Sequence, residues 1–130
     1  MRRLKCLLVA GAALLALPLP SAHAAEPAGT HQDSFLILSQ HSRDGEGRTV
    51  TLGCPEARGS HPAASEACIS LEAANGLLAG LPMSNLPCPT VVDPVTVFMA
   101  GVWKGEFISQ EEDFSNRCFM YRATGAVFDF

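Results

Sequence analysis

Leu86-Pro87-Cys88-Pro89-Thr90-Val91-Val92-Asp93-Pro94 places three prolines, one cysteine and three consecutive β-branched residues within nine positions. Each proline holds its own φ near about −65° and pushes the residue before it out of the helical region, so Leu86, Cys88 and Asp93 are biased toward extended backbone. Thr90, Val91 and Val92 favour the same shape. The middle of the chain is therefore read as an extended segment, with a cysteine available to anchor it. Such a segment has given up much of its conformational entropy before it meets a partner.

Working outward, Val92 to Met99 and Val102 to Glu111 read as strands around Ala100-Gly101, and Val127, Phe128 and Phe130 suggest a terminal strand. Upstream, Ser34 to Ser39 and Arg48 to Gly53 read as a hairpin across the turn-rich Arg43-Asp44-Gly45-Glu46-Gly47. Ala64 to Ala74 has no breaker, places Ala67, Cys68, Leu71 and Ala74 on one face, and stops at Asn75-Gly76. About five strands and one or two helices, without strand–helix alternation, predict an α+β domain over 34–130 built on a small antiparallel sheet. No internal repeat or second domain is visible.

The chain opens like a secretory leader: Arg2, Arg3 and Lys5 precede the apolar Leu7 to Leu17, and Ala22-His23-Ala24 offers a small-x-small cleavage site after Ala24. Residues 1–24 are read as a signal peptide and 25–33, with Pro27 and Gly29, as a flexible tail. The apolar run is too short to span a membrane, so no membrane association is expected of the mature, exported protein, extracellular or periplasmic. Removing the leader leaves six basic against thirteen acidic residues, a net charge of −7, which excludes nucleic acid as a partner. It also removes Cys6, leaving Cys54, Cys68, Cys88 and Cys118. Four cysteines in a small exported domain point to two disulfides, with three possible pairings. A zinc site is disfavoured, because no pair has close C-x₂₋₄-C spacing.

Taken together, Thr49-Val50-Thr51-Leu52-Gly53-Cys54-Pro55, Gly59-Ser60-His61-Pro62, Ala67-Cys68, Cys88-Pro89, Asp93-Pro94-Val95, Gly101-Val102-Trp103-Lys104-Gly105, Phe114-Ser115-Asn116, Cys118 and Val127-Phe128-Asp129-Phe130 resemble, in order and spacing, the Streptomyces subtilisin inhibitor family of secreted serine-protease inhibitors. The likeness is strong from about Thr49 onward. It implies disulfides Cys54–Cys68 and Cys88–Cys118, a reactive bond between Thr90 and Val91, and a protease-binding loop of Pro87, Cys88, Pro89, Val92 and Asp93 around it. Asn116 matches a family position that supports this loop. The partner implied is a secreted subtilisin-like serine protease, and the state implied is a homodimer. The chain would then be no enzyme: the protease's serine attacks the Thr90 carbonyl, and the tethered Val91 amine religates.

Two departures from the family stand at the site. Many relatives carry a long unbranched residue where Thr90 stands and an aromatic where Val92 stands. The family's Asp-Gly turn is Ala100-Gly101 here, which leaves that turn without its usual side-chain hydrogen bond. Thr90 keeps a second reading open, a secreted scaffold or interaction module that retains the fold without inhibiting. A hydrolase is a third reading, against which stands the lack of any recognisable nucleophile–base set. His31, His41 and His61 suit structural or surface roles, Trp103 the core, and Glu111-Glu112-Asp113 a solvated strand end. No motif calls for a cofactor or metal.

Overall fold

Alternation along Ser34–Ser42 makes the first strand: Ser34, Leu36, Leu38 and Gln40 are buried while Phe35, Ile37 and His41 are exposed, the period-two pattern of a half-buried sheet. The computed structural model describes residues 32–130. Strands β1 (Ser34–Ser42), β2 (Gly47–Cys54), β3 (Val95–Trp103) and β4 (Glu106–Phe114) form one antiparallel sheet in the order β2-β1-β3-β4. Helix α1 (Ala64–Ala73) lies between β2 and β3 in the chain, and helix α2 (Arg117–Thr124) follows β4. The architecture is the α+β one expected, including the β1–β2 hairpin and the first helix. Among the described residues no helix is long and apolar enough to cross a membrane.

Register assigns the two faces. Leu36 pairs with Leu52 and Leu38 with Met99, and with Val97 these side chains are fully buried on one side of the sheet. Ala67, Cys68 and Leu71 of α1, Met120 of α2 and the C-terminal Val127 and Phe128 complete the core. The opposite face carries Phe35, Ile37, Phe98, Val102 and Phe107, all exposed; Phe35 lies opposite Val102, and Val102 opposite Phe107. The core is thus one-sided and the second face is left apolar.

Two expectations are corrected. The sheet has four strands, not five, because Gly125–Phe128 forms a 3₁₀ turn. Val127 and Phe128 are both fully buried; in a strand, neighbours point to opposite faces and only one of them could reach the core. The turn between β3 and β4 lies at Lys104-Gly105 (φ +47° and +87°), not at Ala100-Gly101, which continues β3. Gly101 serves close approach instead: a Cβ there would sit 2.1 Å from the Phe35 carbonyl oxygen of β1, at φ +147°. Only glycine lets the two strands meet at that point.

The other side chains singled out by the sequence fall into place. Trp103 is buried at the end of β3. His61 is buried, its Nδ1 accepting from Ala63 N (3.1 Å) and its Nε2 donating to the Val127 carbonyl (3.0 Å), so it clips the C-terminal turn beside α1. His41 packs edge-on against Phe98. Glu111, Glu112 and Asp113 are exposed on β4, and Asp113 accepts from the Thr96 hydroxyl. Residues 1–24, most of the tail and His31 lie outside the described residues; of the tail, Asp33 forms an exposed ion pair with Arg58 (3.2 Å).

Candidate functional site: a tethered, extended loop

Between Leu81 and Val95 the chain has no regular secondary structure, as its prolines dictate. Leu86, Pro87, Pro89, Thr90, Val91, Val92 and Asp93 are all exposed, Val91 and Val92 at 63% and 72%. A loop of this length without internal structure would ordinarily be mobile. Here it is bound to one short platform, the residues from Ser115 to Arg122.

The platform sits under the loop because of strand register. Val95, where the loop enters β3, pairs with Phe114, where β4 ends. The chain leaving β4 turns through Ser115 and Asn116 into α2, directly beside the loop's exit. Four attachments follow. Cys88 is disulfide-bonded to Cys118 of α2, with Cα atoms 5.6 Å apart. Ser84 N donates to the Arg122 carbonyl (2.9 Å) and Asp93 N to the Ser115 carbonyl (2.8 Å), fixing both flanks.

Asn116 makes the fourth attachment. It is buried, 6% exposed, and caps α2 by accepting from Phe119 N at its Oδ1 (3.1 Å), satisfying one of the helix's free N–H groups. Because the oxygen is committed to the helix, the amide nitrogen faces the loop. It donates to the Pro89 carbonyl (3.1 Å) and the Val91 carbonyl (2.7 Å), one on each side of Thr90. Among the described residues no hydrogen bond falls on the Thr90 carbonyl. The backbone is therefore pinned before and after Thr90, while Thr90's own carbonyl and side chain remain available.

The platform is itself fastened to the sheet. Arg117 donates from Nη1 to Gln40 Oε1 (3.0 Å) and from Nη2 to Ser42 Oγ (3.1 Å), both on β1, and Gln40 in turn donates to the Phe130 carbonyl. Sequence reasoning did not single out Arg117, Ser115 or Arg122; the last two act through backbone atoms, which leave no side-chain signal. The second disulfide, Cys54–Cys68 (Cα atoms 5.6 Å apart), is buried and joins the end of β2 to α1. It stabilises the core rather than the loop. Among the described residues no group of three or more His, Cys, Asp or Glu converges as a metal site would require.

Comparison with known proteins identifies the class of molecule that carries this loop. The family model described as subtilisin inhibitor-like matches residues 26–116, and the chain belongs to that family. It is thereby placed among protease inhibitors rather than enzymes. A subtilase-type protease inhibitor of Streptomyces fradiae is 39% identical over 130 residues, covering 95% of this chain and 92% of the relative. The subtilisin inhibitor of Streptomyces albogriseolus is 45% identical over 85 residues, 64% of this chain and 59% of the relative. Among solved structures, Streptomyces caespitosus sermetstatin in complex with Bacillus licheniformis subtilisin matches with a TM-score of 0.62 at 34% identity, covering 75% of this chain and 99% of that one.

Proposed function

We propose that this chain is a secreted, substrate-like inhibitor of subtilisin-type serine proteases, with Thr90–Val91 as its reactive bond. The observation that carries the reading is the double attachment of Asn116 to the Pro89 and Val91 carbonyls. A loop held extended on both sides of one peptide bond, with that bond's carbonyl unengaged, is what a serine protease binds as substrate. The relatives' names and the subtilisin complex of sermetstatin support the same partner. Pro87, Cys88, Pro89, Val92 and Asp93 would line the contact.

Attack by the protease's serine on the Thr90 carbonyl forms the acyl-enzyme and frees the Val91 amine. That amine does not leave: Asn116 holds the Val91 carbonyl, and Asp93 N is bonded to Ser115. An amine retained this way has an effective molarity of about 10⁵ M or more, so religation outcompetes water and the complex persists. Secretion rests on the leader-like residues 1–24, and cleavage after Ala24 is the expected processing. The exposed face of Phe35, Ile37, Phe98, Val102 and Phe107 supports homodimer formation through sheet faces, since two-fold pairing would cover it. Titrating a fixed amount of subtilisin with the purified mature protein tests the function: stoichiometric loss of activity is expected, and undiminished activity at excess protein would contradict it.

A further inference from the structure

We infer that the protease suited to this loop has a small primary specificity pocket, one that takes side chains up to the size of threonine, and that Thr90 is the residue selecting it. The inference rests on reading Thr90–Val91 as the reactive bond and goes beyond it to the class of partner. Its basis is the rigidity of the backbone on either side. One amide nitrogen holds the carbonyls before and after Thr90, at 3.1 and 2.7 Å, Cys88 is covalently fixed two residues earlier, and Asp93 N is bonded three residues later. The loop therefore cannot shift inward to push a short side chain deeper. Thr90 reaches into the pocket only as far as its own atoms extend.

Threonine extends two heavy atoms beyond Cβ, a methyl and a hydroxyl, both branching at the pocket mouth. In a deep apolar pocket the floor stays empty, and each methylene's worth of unfilled contact forfeits about fourfold in affinity. The hydroxyl adds a further loss where it finds no hydrogen-bond partner. In a deep pocket with an acidic floor the fit is worse still, because residues 81–93 contain no Lys or Arg. A shallow pocket is filled by the same atoms and closed to longer ones. Exposed apolar surface lies after the bond, on Val91 and Val92.

The test uses the intact mature protein and three serine proteases that share a catalytic triad but differ in pocket: elastase (small), chymotrypsin (a hydrophobic slot) and trypsin (Asp-floored). Subtilisin serves as a fourth. The native protein should inhibit elastase at least about tenfold more tightly than chymotrypsin or trypsin. Thr90→Met should weaken elastase inhibition by about tenfold or more while strengthening inhibition of chymotrypsin and subtilisin. Thr90→Ala, which deletes the branch without adding length, should stay within about fivefold of native on elastase. Equal inhibition of chymotrypsin and elastase by the native protein, or unchanged elastase inhibition by Thr90→Met, would overturn the inference. A gain against subtilisin by Thr90→Met in that case would leave the reactive bond standing. Failure of every form against all four enzymes would remove the inhibitor reading itself, and this inference with it.

Discussion

Replacing Asn116 by aspartate separates the two jobs of that side chain. The substitution is nearly isosteric and keeps an oxygen in place to accept from Phe119 N, so the cap of α2 survives. A negative charge there even complements the helix N-terminus, by about 0.3–1 kcal/mol. The loop side fares differently: the two bonds to the Pro89 and Val91 carbonyls disappear, and a carboxylate oxygen then faces two carbonyl oxygens at positions now 3.1 and 2.7 Å from the amide nitrogen. Two neutral hydrogen bonds at about 0.5–1.5 kcal/mol each give a loss of about 1–3 kcal/mol in holding the loop, before the oxygen–oxygen repulsion is counted. Nearly all of that should appear in binding, as about ten- to a hundredfold weaker inhibition of a susceptible protease, with faster hydrolysis of the inhibitor. Asn116→Ala should weaken inhibition similarly but also lower the melting temperature, because it removes a cap worth about 1 kcal/mol. Inhibition constants and melting curves for both variants are the assay. Native-like inhibition by Asn116→Asp would refute the claim that these bonds hold the loop.

Three more outcomes follow from the same structure. Replacing Cys88 and Cys118 together by serine should turn the protein from inhibitor into substrate, since the Cys88 side of the cleaved loop is no longer tied to α2; inhibition that persists undiminished through a long incubation would show the bridge to be dispensable. Gly101→Ala should destabilise the fold by about 2–4 kcal/mol, seen as a lower denaturant midpoint, because its Cβ meets the Phe35 carbonyl. Phe107→Glu, on the exposed sheet face where Phe107 is 76% accessible, should shift a micromolar sample from dimer to monomer in sedimentation without loss of inhibition; a native protein that already sediments as a monomer would dismiss the dimer.

Much of this molecule is legible in its residues because its constraints are local. The hairpin shows in the apolar run Phe35-Leu36-Ile37-Leu38 and in Val50 and Leu52 alternating with polar neighbours, α1 in a breaker-free run ended by Asn75-Gly76, and the loop in prolines that admit few conformations. What escaped depends on tertiary context. Val127, Phe128 and Phe130 have strand propensity, yet the core needs two adjacent side chains and takes a 3₁₀ turn to get them. Gly101 looks like a turn glycine, but it allows a close approach between strands, while the real turn puts a lysine, Lys104, at positive φ. Within the site, the cysteines, prolines and Asn116 stand out by residue type and motif. The contributions of Ser84, Asp93, Ser115 and Arg122 are main-chain hydrogen bonds, set by where α2 lies and open to almost any side chain.

As the proposed reactive bond, Thr90–Val91 should be attacked like a substrate's bond and yet be held together by the fold. Mass spectrometry of the mature protein after prolonged incubation with subtilisin at mildly acidic pH tests it most directly. Slow, incomplete cleavage at that single bond is expected, with the two fragments still joined through Cys88–Cys118 until reductant is added. Rapid digestion at many bonds, or a single cut elsewhere in the loop, would contradict it.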